Sequence, residues 1–173
     1  MLKTKVVPAV EDSWLAVPAI ALGTVPTGLG TPDSFVTVAA DGRPTVRLDL
    51  YVDHGKEIQF ATQALEWHNL VIVGIGHRVH VVHIDSRKAT SISLGEYFAG
   101  FFARENVLLI TSASRVLRLA EDGSVLWQSP SVGIDGVVIQ QTDRDKVYGK
   151  GEFDPPGGWR SFCLDLRTGL PAT

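Results

Sequence analysis

The sequence predicts an all-β chain, and three observations carry that reading. Almost no stretch of the 173 residues shows a convincing helical period. The apolar runs are mostly of strand length and rich in Val, Ile and Thr, the residue types that fit a pleated, half-buried surface. A segment near the middle of the chain also falls on a later one at an offset of 37 residues, so the chain is built from repeats of strand-sized pieces.

The first apolar run, W-L-A-V-P-A-I-A-L-G at residues 14–23, is ten residues long and contains Pro18. That is about half of what a membrane-spanning helix needs, so no membrane span is expected. Glu11 and Asp12 precede the run, where a secretory signal would carry basic residues. It reads as a strand pair or an irregular lead into the fold. The run F-V-T-V-A-A-D-G-R-P-T-V-R-L-D-L-Y-V, residues 35–52, alternates on both sides of Asp41-Gly42 and is expected to form a hairpin.

The repeat follows. N-L-V-I-V-G-I-G-H-R-V-H-V-V-H-I-D, residues 69–85, aligns without a gap on N-V-L-L-I-T-S-A-S-R-V-L-R-L-A-E-D, residues 106–122. Asn69 meets Asn106, Arg78 meets Arg115, Val79 meets Val116 and Asp85 meets Asp122. A more divergent third copy begins near Asp145: K-V-Y-G takes the place of the first run, and S-F-C-L-D-L-R-T-G, residues 161–169, takes the place of residues 81–89. Each copy reads as strand, turn, strand, Asp-centred turn, strand, preceded by another apolar group: F-A-T-Q-A-L, F-A-G-F-F-A or I-D-G-V-V-I. The expectation is a single all-β domain over residues 1–173, with three repeat units in 60–169 and a degenerate fourth in 14–59.

Four-stranded units of about 40 residues joined by D-x-x-T-G-like turns are the habit of propeller blades. In A-E-D-G-S-V-L-W-Q-S, residues 120–129, and C-L-D-L-R-T-G, residues 163–169, the chain resembles PQQ-like and WD40-like β-propellers. The resemblance covers about the last 110 residues and implies architecture only, because the marks of quinone-binding blades do not recur. The predicted fold is a small or partial β-propeller-like array of about four antiparallel sheet units, with a β-sandwich as the alternative. An open array leaves strand edges unpaired, for which a homodimer is the expected cover.

Composition narrows the partners. A formal charge of −3 with scattered basic residues predicts no nucleic-acid binding. The single Cys163 requires no oxidising compartment and fits a cytoplasmic protein. His77, His80 and His83 resemble a ligand set, but on a strand His77 and His83 share a face about 20 Å apart while His80 takes the other. No metal is expected there, since zinc holds its ligands at about 2 Å. No nucleophile elbow, phosphate-binding loop or dinucleotide fingerprint occurs, and no cofactor is expected.

The candidate site is the extended turn G-K-G-E-F-D-P-P-G-G-W-R, residues 149–160. Its counterpart in the second repeat is only a few residues long, and long loops on a rigid β scaffold are where binding sits. Phe153, Asp154, Trp159 and Arg160 are its candidate partner-binding residues, aromatic and Arg side chains being favoured at contact hot spots. The expected function is a non-catalytic protein-binding module of the inhibitor or immunity type. The alternative is a hydrolase or lyase acting on a carbohydrate through carboxylates such as Asp49, Asp53, Asp135, Asp143, Asp145, Glu152 or Asp154 gathered in a cleft.

Overall fold

A computed structural model describes residues 2–28, 30–154 and 157–172. They form four small sheets in two compact units, Met1–Tyr97 and Phe98–Thr173. Among the described residues no helix is long and apolar enough to cross a membrane.

In the first unit, sheet 1 comprises β1 (Leu2–Val7), β2 (Ala19–Gly23), β3 (Ser34–Ala40) and β4 (Arg43–Tyr51) in the spatial order β1-β3-β4-β2, with a helical turn α1 (Asp12–Leu15) between β1 and β2. Sheet 2 is the meander β5 (Gln63–Trp67), β6 (Leu70–Ile75), β7 (Arg78–His83) and β8 (Ala89–Ser93). In the second unit, sheet 3 is the meander β9 (Phe98–Arg104), β10 (Val107–Ser112), β11 (Val116–Leu119) and β12 (Val125–Gln128). Sheet 4 holds β13 (Val137–Asp143), β14 (Lys146–Glu152) and β15 (Trp159–Asp165).

The all-β, blade-like array is therefore observed, and the sandwich alternative is not: sheets 2, 3 and 4 each take consecutive strands, with none of the exchange between sheets that a Greek-key sandwich requires. The 37-residue offset is a hydrogen-bond register. Val71 pairs with Val82 as Leu108 pairs with Leu119, and Val73 pairs with His80 as Ile110 pairs with Leu117. Glu66 likewise faces Val71 as Ala103 faces Leu108.

Three details differ from the sequence reading. Strand β2 runs parallel to β4, so sheet 1 is mixed rather than wholly antiparallel. In the last repeat, the amide of Gly169 donates to the Asp165 carbonyl as the amide of Arg87 donates to that of His83. Asp165 thus stands at the register of His83, two residues from the place its likeness to Asp85 suggested. The last strand expected of each copy is, in this repeat, only a bridge, Leu164 to Pro171. The hairpin around Asp41-Gly42 forms as read, with φ of 49° and 79° at the two turn residues, the left-handed pair that suits a twisted two-residue connection.

Apolar alternation places each core. Val36, Val38, Val46 and Leu48 of sheet 1 pack with Val71, Val73, Ile75 and Val82 of sheet 2. In the second unit Leu109, Val116 and Trp127 of sheet 3 pack with Val137, Val147 and Leu164 of sheet 4. Trp127 also donates its indole N–H to the Leu166 carbonyl at 2.8 Å, and Arg118 donates to the same oxygen at 2.6 Å. The Trp127 ring lies against Gly169, at the turn where Asp165 accepts from the amides of Arg167 and Thr168 and from the Thr168 hydroxyl. These bonds hold the Asp165 carboxyl below its ordinary range, the Thr168 hydroxyl first among them. Trp127→Phe keeps an aromatic ring but removes the donor and part of the buried indole, and is expected to cost at least about 1 kcal/mol in chemical denaturation. An unchanged midpoint would show that Arg118 alone suffices.

Candidate functional site

The loop joining β14 to β15, residues 153–158, begins where Glu152 pairs with Trp159. Pro155 and Pro156, whose rings would limit the freedom of such a turn, lie outside the described residues. The loop is closed by its own backbone: the Phe153 amide donates to the Gly158 carbonyl at 3.0 Å and the Gly158 amide to the Asp154 carbonyl at 2.9 Å. The Glu152 carboxylate accepts from the Gly157 amide at 2.5 Å.

Strand alternation then sorts the four predicted residues. Val137, Val147 and Leu164 face the core, so Val138, Lys150 and Ser161, paired across the sheet, face outward. Glu152 and Trp159 share that outer side. The Trp159 ring reaches across to the far strand, its tip 3.0 Å from where a Cβ on Gly136 would lie, and stays 42% exposed. Ile134, whose amide donates to the Glu152 carbonyl, is 56% exposed and Val138 51%. Phe153 is half-buried, with the exposed Arg160 guanidinium 5.0 Å from its ring centroid, while Asp154 is exposed. The structure therefore divides the predicted set: the Arg160 guanidinium lies over Phe153, and Trp159 shares the outer face with Val138, a residue the sequence did not single out.

The histidines go to separate tasks. His77, in the β6–β7 turn, accepts through Nε2 from the Ile58 amide at 3.0 Å, which leaves the ring proton on Nδ1. His80 is fully buried on β7, with Nδ1 2.7 Å from the Ser91 hydroxyl and Nε2 without a hydrogen-bond partner. Burial, and secondarily the charge of Arg78, pushes its pKa down to about 4.

A feature the sequence did not foretell lies in the first unit. Two adjoining depressions, of about 330 and 400 Å³, share Thr24 and Asp53. They are lined by two carboxylate–cation pairs, Asp53 with Lys56 at 3.4 Å and Glu57 with Arg78 at 3.3 Å, and by a carboxylate–imidazole pair, Asp33 with His54 at 2.5 Å. Asp33 also accepts from the Val52 amide at 2.8 Å, which fixes its plane. Glu57 is held beside Gly76, where any side chain would crowd its carboxylate. Arg78 pairs with Ser93 across β7 and β8, on the face where His80 pairs with Ser91 one level further along. Of the carboxylates named from the sequence, Asp53 reaches this cleft. Asp49 instead makes a two-pronged bond to Arg47, both at 2.8 Å.

No protein-family model and no curated protein sequence matches the chain. Among solved structures, BamB from Moraxella catarrhalis superposes with a TM-score of 0.54 at 12% identity, over 100% of this chain and 51% of that one. The chain thus spans about half the length of the BamB chain it matches. At that identity the likeness is one of fold, and the four sheets of this chain correspond to blades of a β-propeller.

Proposed function

We infer that the chain is a non-catalytic protein-binding module whose docking surface is the outer side of sheet 4. The observation that carries this reading is the exposure of Trp159 and Val138 on one face, with Lys150 and Glu152 on the strand between them. A tryptophan left partly exposed on a sheet face, with an exposed valine and charged neighbours, is the residue type and setting of an interface anchor. The fitting partner is a protein surface that lays an apolar side chain on the Trp159 ring and sets opposite charges beside Lys150 and Glu152. Self-association belongs to the same reading, because among the described residues β15 carries only the Leu164–Pro171 bridge on its outer side.

Affinity capture with the wild-type chain and with Trp159→Ala and Val138→Asp baits, read by quantitative mass spectrometry, tests it. Loss of an anchor of about 2 kcal/mol predicts at least about 30-fold weaker retention of the bound protein, or of the second copy, by the variants. Equal retention by all three baits, or no protein retained, would contradict the reading.

A further inference from the structure

We propose that the cleft of the first unit is a second binding site, for an uncharged polyhydroxylated ligand, a mono- or disaccharide. The cleft presents donors and acceptors in matched pairs rather than a field of one sign. Asp53 and Glu57 face Lys56 and Arg78, and Asp33 faces the His54 imidazole, so a phosphate or carboxylate ligand meets three carboxylates and an ammonium ligand meets Lys56 and Arg78. A sugar hydroxyl meets neither obstacle, because it donates one hydrogen bond and accepts two. Neighbouring hydroxyls can therefore bridge the two members of an ion pair, giving one hydrogen to the carboxylate and accepting one from the cation. Such charge-assisted bonds are the stronger kind.

The groups are held in place before a ligand arrives. The Val52 amide and His54 fix Asp33, the Gly55 amide at 3.1 Å fixes Asp53, and Arg78 fixes Glu57. His77 is turned by the Ile58 amide so that its remaining N–H is a donor. Thr24 and Ser93 add hydroxyls that can serve in either role, and Pro26 and Val52 give the second depression an apolar wall for the C–H face of a ring. The size of the two depressions is at the lower end for small-molecule sites, suited to one or two sugar rings. This site stands on different residues, in a different unit, from the sheet 4 surface.

The test is a titration of the full ¹⁵N-labelled chain with maltose, lactose, cellobiose and N-acetylglucosamine, followed by amide chemical shifts. Glucose 6-phosphate and glucosamine are the charged comparators. At least one neutral sugar should shift the amides of Thr24, Asp53, Glu57 and Ser93 and saturate at millimolar concentration, on the order of 1–10 mM. The two comparators should bind about fivefold or more weakly. Asp53→Asn and Glu57→Gln should each weaken binding by about tenfold. Ser93→Trp, at an exposed rim position whose replacement spares the core, should abolish it and decides the matter if the other variants misfold. The proposal is overturned if none of the four sugars shifts these amides by about 50 mM, if the shifts lie elsewhere, if the charged comparators bind as well, or if Ser93→Trp binds normally.

Discussion

Replacing His80 by leucine is expected to flatten the acid limb of the first unit's stability curve. His80 is buried with Nε2 unpaired and is held neutral down to about pH 4. In the unfolded chain the same imidazole titrates near 6.5, so as pH falls from 6.5 towards 4 the unfolded state takes up a proton that the folded state refuses. Stability is complete above about pH 6.5 and is lost progressively below it, by about 3 kcal/mol at the folded pKa. Leucine is the residue the repeat itself places there, since Leu117 occupies the same register opposite Ile110 and is buried. His80→Leu removes both the proton uptake and the unpaired nitrogen, and the exposed Ser91 can turn to water. Amide exchange of β6 and β7 against pH is the measurement. The wild type should lose protection between pH 6.5 and 4, and the variant should keep it. Parallel profiles for the two proteins would place the acid sensitivity elsewhere.

Gly151→Ala is expected to unfold the second unit. A Cβ at this position would overlap the carbonyl of Val132 and lie 2.9 Å from the Cα of Gly133, both backbone atoms that cannot turn aside. Strand β14 passes so close to this segment because Ile134 and Glu152, and Glu152 and Gly136, are joined by backbone bonds of 2.7 and 2.9 Å on either side. Relieving the overlap breaks one of these or displaces β14 from Val137 and Arg160, its cross-strand partners. A cost of about 4 kcal/mol or more follows, at the upper end for a single substitution. Lys150→Ala, one residue away on the outward face, should change stability by no more than about 0.5 kcal/mol. A Gly151→Ala protein whose denaturation midpoint matches that of Lys150→Ala would refute the crowding.

What the sequence disclosed, and what it withheld, follows from how far each signal reaches along the chain. The hairpin at Asp41-Gly42 was legible because a two-residue turn needs left-handed backbone and those residues supply it. The 37-residue repeat was legible because two sheets share one register, so Arg78 and Arg115 both follow a tight turn and Val79 and Val116 both point inward. The last repeat misled by two residues, since an Asp suits either position of such a turn and only the Gly169-to-Asp165 bond fixes which one. The direction of β2 beside β4 leaves no local trace at all.

The candidate sites divide in the same way. Trp159 was visible because its loop is six residues long where the β6–β7 turn has two. Its companion Val138 was hidden, because it comes from β13 and shares a face with Trp159 only once β13, β14 and β15 pair, with Gly136 leaving room for the ring. The cleft was hidden more completely: Asp33 precedes β3, Asp53 and Glu57 follow β4, Arg78 opens β7 and Ser93 ends β8. The only local sign was the charged run D-H-G-K-E at residues 53–57, and its partners stand about 20 residues away on either side.

The central claim is that the outer side of sheet 4 docks a protein, and photo-crosslinking from that face tests it most directly. With benzoylphenylalanine in place of Lys150, which faces outward between Val138 and Ser161, irradiation in a lysate of the source cells should give one dominant protein adduct. The adduct should vanish when Trp159→Ala is added and should not form from Lys88, in the β7–β8 turn of the other unit. An adduct that survives Trp159→Ala, or equal labelling from both positions, would contradict the claim.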